Sequence, residues 1–273
     1  VVYDVEPMEP PPAIPRRPAL YRRLTEPPES LPVTALLNEP LIPAQENHRV
    51  AVVPSYEEFD ASLLTTTYTA LRSQGADIVV FGGTTGPEGW QVGLPPLEAA
   101  VREQGGVAVI SVATTGGSAH QSTVAVTPER TIEHAATHGR GIQLGEITAP
   151  VIPTAAGNLG LLCGDEGFVP EVARSLMLEG ADILAWSTFA DDQMNEQFAR
   201  ARSDENRVYT AVAHPNGAAV IAPTGAPLTI SPRGSGVAMA AQVNRALSRW
   251  KDMAPGTNAL TDRIPDAYWV LTG

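Results

Sequence analysis

Cys163 is the single cysteine of the chain, and its position suits a nucleophile. It closes an apolar run, residues 159–162, that reads as a strand. The turn-rich Gly164-Asp165-Glu166-Gly167 follows, then a helix with Val172, Leu176 and Leu178 on its buried side, then a second apolar run at 183–186. A thiol at the C-terminal end of a strand, just before a helix, meets backbone amides that can support a thiolate or an oxyanion. Thiol attack on an electrophilic carbon needs two further groups: a base for the thiol proton and a positive charge for the developing anion. The plain alternative for Cys163 is a small apolar side chain packed in a core.

The stretch that carries Cys163 also holds Asp165, Phe168, Pro170, Glu171 and Arg174. It resembles the carbon-nitrogen hydrolase, or nitrilase, superfamily, in which a strand ends in Cys, Asp or Glu follows two residues later, and an aromatic-Pro-Glu element and an Arg come next. Val169 is an extra residue against that pattern. Residues 199–217 are similar to the helix and strand that follow in the family, and 75–83 to the strand that normally ends in Pro-Glu. The matches run from about Arg49 to Tyr268. The resemblance implies a four-layer αββα sandwich and a Glu, Lys and Cys triad. On that implied pattern the base falls at Gly83, with Gly82 where the family has Pro, and the lysine falls at Gly141 in Arg140-Gly141-Ile142-Gln143-Leu144. Only Cys163 keeps its expected type. The possible stand-ins are Glu88, five residues late in a Pro-Glu pair, Glu146 as a second carboxylate, and Arg140, which projects to the opposite side of a strand from Gly141. Lys251, the one lysine, lies far away near the C-terminus. The expectation is therefore a sulfur with neither a carboxylate nor a cation beside it. Loss of a base costs roughly 10²- to 10⁴-fold and loss of an oxyanion donor roughly 10²- to 10³-fold, so hydrolysis by such a site is nearly abolished.

The elements that would position these residues alternate. Strands are expected at 49–54, 77–81, 107–112, 122–126, 131–134, 141–147, 207–213 and 237–243, helices at 59–74, 97–104 and 192–205, and a hairpin at 218–221 with 228–230. Gly75 reads as a helix C-cap, and 82–96 reads as an irregular loop rich in glycine and proline. Early alternation followed by late strand pairs suggests two mixed sheets packed face to face with helices outside, an α/β fold. The tail with Tyr268 and Trp269 is expected to pack on a neighbour.

Residues 1–47 hold 11 of the 25 prolines, so this segment reads as an extended or polyproline-like arm, or an interdomain linker, ahead of a domain at 48–273. Its apolar islands suggest an arm laid along this domain or gripping a protein partner or fused domain. A formal charge of -12 disfavours nucleic acid and anionic membranes as partners. No apolar stretch approaches the roughly 20 residues of a membrane span, and one cysteine permits no internal disulfide. A cytoplasmic protein is the expectation. His134 and His138 have i, i+4 spacing without a third ligand, and Thr114-Thr115-Gly116-Gly117 lacks the Lys and Ser or Thr of a phosphate loop, so neither metal nor cofactor is expected. The resemblance implies a homodimer or higher homo-oligomer. The leading expectation is a degenerate hydrolase-like domain acting as a structural or interaction subunit. An active amidase or nitrilase with a rearranged Cys-dependent site and a small-molecule sensor are the alternatives.

Overall fold

The computed structural model describes residues 17–37, 47–55, 58–115, 120–139, 144–146, 150–190 and 194–272. In chain order the elements are two 3-10 segments, Pro18–Thr25 and Pro28–Ser30, then α1 (Pro32–Leu37), β1 (Asn47–Val53), α2 (Ala61–Ser73), β2 (Ile78–Phe81), β3 (Thr84–Pro87), α3 (Pro95–Gln104), β4 (Val107–Thr115), β5 (Gln121–Val126) and β6 (Thr131–Ala135). There follow β7 (Val151–Thr154), β8 (Gly157–Cys163), α4 (Pro170–Leu178), β9 (Ile183–Ser187), α5 (Asn195–Asn206), β10 (Tyr209–His214), β11 (Gly217–Ile221), β12 (Pro227–Ile230), β13 (Met239–Asn244) and α6 (Arg245–Arg249). A short hairpin, β14 (Asp252–Ala254) with β15 (Thr257–Asn258), and α7 (Trp269–Thr272) complete the chain.

Two sheets form. The first runs β13-β1-β2-β4-β5-β6, with β3 also paired to β4; the second runs β12-β11-β10-β9-β8-β7. Each has a parallel centre, β1-β2-β4 in one and β8-β9-β10 in the other, flanked by antiparallel strands. Side chains alternate across each strand, so both sheets bury both faces. Val50, Val52, Ile78, Val80, Val107 and Val109 of the first sheet meet Leu159, Leu161, Ile183, Ala185 and Ala211 of the second in the middle layer. The outer face of the first sheet packs Leu64, Tyr68, Leu97 and Val101 of α2 and α3, and that of the second packs Val172, Leu176 and Met177 of α4 with Ala199 of α5. The architecture is the expected four-layer αββα sandwich. Local signals agree with it: Asp60 caps α2 through the Ser62 and Leu63 amides, and Gly75 ends that region at φ +87°.

Three expectations change. The 82–96 loop contains β3 and a 3-10 turn, because Thr84–Pro87 finds a parallel partner in β4. The expected strand at 141–147 is not seen in its described part, 144–146, which is irregular. In the arm, residues 18–37 are wound into 3-10 and α turns; proline sets φ near helical values and is tolerated at the first positions of each turn. Leu20, Tyr21, Leu24, Leu31 and Val33 are buried against α4 in the outer core of the second sheet. Arg23 pairs with Glu179 at 2.5 Å, and Arg263 Nη2 donates to the carbonyls of Arg23, Leu24 and Glu26, so the C-terminal tail clasps the arm. Tyr268 packs against this core, while Trp269 is exposed.

Candidate functional site

Cys163 ends β8, on the same side as Leu159 and Leu161, and so points between the sheets. Three hydroxyls close that layer: Ser187 at the C-terminal end of β9, Ser111 in the middle of β4 and Thr123 opposite it on the antiparallel β5. Ser187 Oγ donates to the Phe81 carbonyl at 2.7 Å and accepts from the Ser111 amide at 2.9 Å; Ser111 Oγ donates to the Ser187 carbonyl at 3.0 Å and meets Thr123 Oγ1 at 2.5 Å. Ser111 and Thr123 also lie beside the sulfur, where their hydrogen bonding favours a thiolate. Burial works against them and dominates: the thiol is fully enclosed and its pKa is pushed far above the ordinary value, with the Glu166 carboxylate adding to the rise.

The turn after Cys163 has its own logic. Gly164 sits at φ +53°, and a Cβ there would lie 2.5 Å from Gln121 Oε1. A Cβ on Gly167 would fall 2.0 Å from the Trp186 ring, whose Nε1 donates to the Gly164 carbonyl at 2.8 Å. The glycines of Gly164-Asp165-Glu166-Gly167 thus let Trp186 pack under the turn. Phe168 meets Trp186 and Phe198 edge-on, and Arg174 donates to the carbonyls of Glu205 and Ala259. These motif residues hold the scaffold.

Glu166 overturns part of the expected emptiness. It is a fully buried carboxylate, three residues from Cys163, that accepts from the Cys163 amide at 2.8 Å, the Thr137 amide at 2.7 Å and the Thr137 hydroxyl at 2.6 Å, and pairs with His134 Nε2 at 2.9 Å. Burial opposes its charge, but His134 and these donors hold its pKa below the ordinary value; the same pairing raises that of His134 against burial. A carboxylate with four donors is a poor proton acceptor. His134 lies on β6 and His138 in the turn beyond it, on separate partners, so their spacing does not make a metal pair. Among the described residues no group of three His, Cys, Asp or Glu is arranged to hold a metal ion.

The place expected for the base is filled. Gly83 is buried just past β2, its amide bonded to the Thr188 carbonyl at 3.0 Å. A Cβ built on Gly83 would lie 2.6 Å from Cδ1 of Phe189 and 2.9 Å from the Thr188 carbonyl carbon; one on Gly164 would lie 3.4 Å from Cδ2 of the same ring. The Phe189 ring therefore stands between Gly83 and the residue after the cysteine. Glu88 and Glu146 are both exposed, and neither has a hydrogen bond to Cys163. Arg140 and Gly141 lie outside the described residues. Phe189 and the Glu166 network were not singled out from sequence: a Glu in a Gly-flanked turn reads as surface, and Phe189 lies beyond the end of its strand.

Residues 120–249 match the carbon-nitrogen hydrolase family, and this segment contains the Cys163 turn and all three parallel strands around it. The match covers just under half of the chain. A double mutant of the amidase from Nesterenkonia sp. AN1, in complex with acrylamide, is similar in fold at TM-score 0.65 and 17% identity, over 85% of this chain and 99% of that one. A single mutant of that amidase, carrying the acetamide moiety of fluoroacetamide on its active-site cysteine, aligns with the same values. A carbon-nitrogen hydrolase from Helicobacter pylori G27 aligns at TM-score 0.67 and 16% identity, over 83% of this chain and 99% of that one. No curated protein matches the chain. Among the described residues no helix is long and apolar enough to cross a membrane.

Proposed function

We propose that this protein has lost amide and nitrile hydrolysis and serves as a structural or interaction subunit, holding partners through surfaces other than the Cys163 site. One observation carries the reading: the ring of Phe189 fills the space beside Gly83 where a base would stand, above a thiol that is wholly enclosed. A thiol needs a proton acceptor and a thiolate-stabilising charge to attack an amide. Here burial and the Glu166 anion both oppose ionisation, and the one lysine of the chain is buried between the carbonyls of Asn206 and Arg207. Helical arm turns seated on α4 and a net charge of -12 fit a protein-binding role better than a polyanion-binding one.

Fluoroacetamide and iodoacetamide, followed by intact mass, test the chemistry. Native protein should gain no adduct at neutral pH in the time that consumes a free model thiol, and denatured protein should gain one. An adduct on Cys163 in the native state at or above the free-thiol rate would refute the reading. Native mass spectrometry of the protein from its own cells tests the role; an isolated monomer without partners would count against it.

A further inference from the structure

Pro12-Ala13-Ile14-Pro15-Arg16 stands just ahead of the first described residue, Arg17, and residues 10–25 hold four arginines and no acid in a chain of net charge -12. In a polyproline helix, three residues per turn put Pro12 and Pro15 on one face, and such segments dock in aromatic-lined grooves. A groove of that kind lies over the β14-β15 hairpin. Trp250, Met253 and Pro255 line a cleft of about 600 Å³, with Asp252 and Asp262 in its wall and no arginine, lysine or histidine. Trp250 is 66% exposed, a large apolar ring to leave in water, and Met253 is exposed beside it. The chain holds that ring outward. Lys251 buries its amine on the carbonyls of Asn206 and Arg207, and in extended backbone its neighbours Trp250 and Asp252 face the opposite way. Asn258 fixes both carboxylates, its Nδ2 donating to Asp252 at 2.8 Å and its amide to Asp262 at 2.6 Å.

We propose that the segment from Pro12 to Arg16 of one copy seats in the Trp250 cleft of a second copy, Pro12 and Pro15 on the indole and Met253, and Arg16 against Asp252 and Asp262. Charge complementarity selects this occupant. Two molecules of net charge -12 repel, and an acid-free stretch with four arginines meeting an acidic cleft without cations offsets that repulsion. Position excludes the chain's own cleft. Arg17 is tied to the Thr137 and Gly145 carbonyls, beyond the end of β6. Asp262 adjoins Arg263, which holds the carbonyls of Arg23, Leu24 and Glu26 at the far end of the same 3-10 segment. At about 2 Å per residue that segment puts roughly 14 Å between Arg17 and Leu24. Arg16, one residue from the anchored end, cannot close on Asp262 of its own chain without pulling Arg17 from its carbonyls. Segment and cleft are different surfaces, so the contact is heterologous, and two copies exchange segments or add head to tail. It stands whether or not Cys163 turns over an amide.

Sedimentation equilibrium of the full chain, over a series from about 1 µM to 1 mM, tests the contact. The wild type should associate within that range. Trp250→Ser, a change on the exposed surface, and the combined Pro12→Ala, Pro15→Ala and Arg16→Glu should each weaken association at least about tenfold. A dye-labelled peptide of residues 10–17 should bind the triple variant, read by fluorescence anisotropy. Its affinity should fall at least about tenfold when Trp250→Ser is added to the protein, and should fall again when the peptide carries Arg16→Glu. A wild type that stays monomeric throughout the series would overturn the proposal; peptide binding to the triple variant alone would then mean that each segment covers its own cleft. Association that either variant leaves unchanged, or peptide binding indifferent to Trp250→Ser, would overturn it as well.

Discussion

Gly83→Ala puts the filled base position to a quantitative test. The added methyl would sit 2.6 Å from the Phe189 ring and 2.9 Å from the Thr188 carbonyl carbon, both closer than packed carbons tolerate. Forcing a methylene into a packed site costs about 1–3 kcal/mol. The backbone contact is the harder one to relieve, so the upper half of that range applies. Phe189→Ala alone removes a half-buried ring, for roughly 2 kcal/mol. With Phe189→Ala in place the first methyl contact disappears and only the Thr188 contact persists, so the Gly83→Ala cost should fall by about 1 kcal/mol or more. Urea unfolding of the four proteins, at equal m-value, closes the cycle. If the two single-mutant costs add within about 0.5 kcal/mol, the ring does not occupy the space assigned to it, and the argument for a blocked base position fails with it.

Glu166→Gln leaves His134 without its charge partner and should cost about 3–5 kcal/mol in urea unfolding. The worth of the Glu166 and His134 pair, taken as wild type minus Glu166→Gln across a pH series, should be greatest between 4.5 and 6.5. It falls at lower pH through the lowered pKa of Glu166 and at higher pH through the raised pKa of His134. Lys251 is held at a pKa of about 7 by burial, so wild-type stability should rise with pH from 7 to 9 by up to about 1.4 kcal/mol per unit, a rise that Lys251→Met lacks. Arg263→Ala frees three arm carbonyls and should expose residues 18–26 to protease at least tenfold faster, read by cleavage mapping.

The parallel strands were legible because strands buried on both faces are written as continuous apolar runs, and 159–162, 183–186 and 77–81 all became strands close to their expected bounds. The substitution of glycine at 83 was legible by type alone. What replaced the missing side chain was not, since Phe189 comes from the segment after β9 and no spacing rule links it to Gly83. Glu166 was missed for a related reason: its partners, His134 and Thr137, lie some thirty residues upstream, and only the closed sheet stack brings a strand histidine onto a turn carboxylate. The arm misled through composition. Proline density predicts extension when nothing covers the chain, but Leu20, Tyr21 and Leu24 gain enough burial on α4 to wind it into turns.

The burial of Lys251 has a practical consequence. Every side-chain cation this chain presents to solvent is a guanidinium or an imidazole, and its single side-chain amine, that of Lys251, is 4% exposed and bonded to two carbonyls. Acetyl, ubiquityl and biotin-ester chemistry all require an accessible side-chain amine, so a folded molecule offers such reagents and enzymes no internal target. Succinimidyl dyes or amine crosslinkers that attach inside this sequence therefore report unfolded molecules, which turns an ordinary labelling reagent into a counter of the denatured fraction.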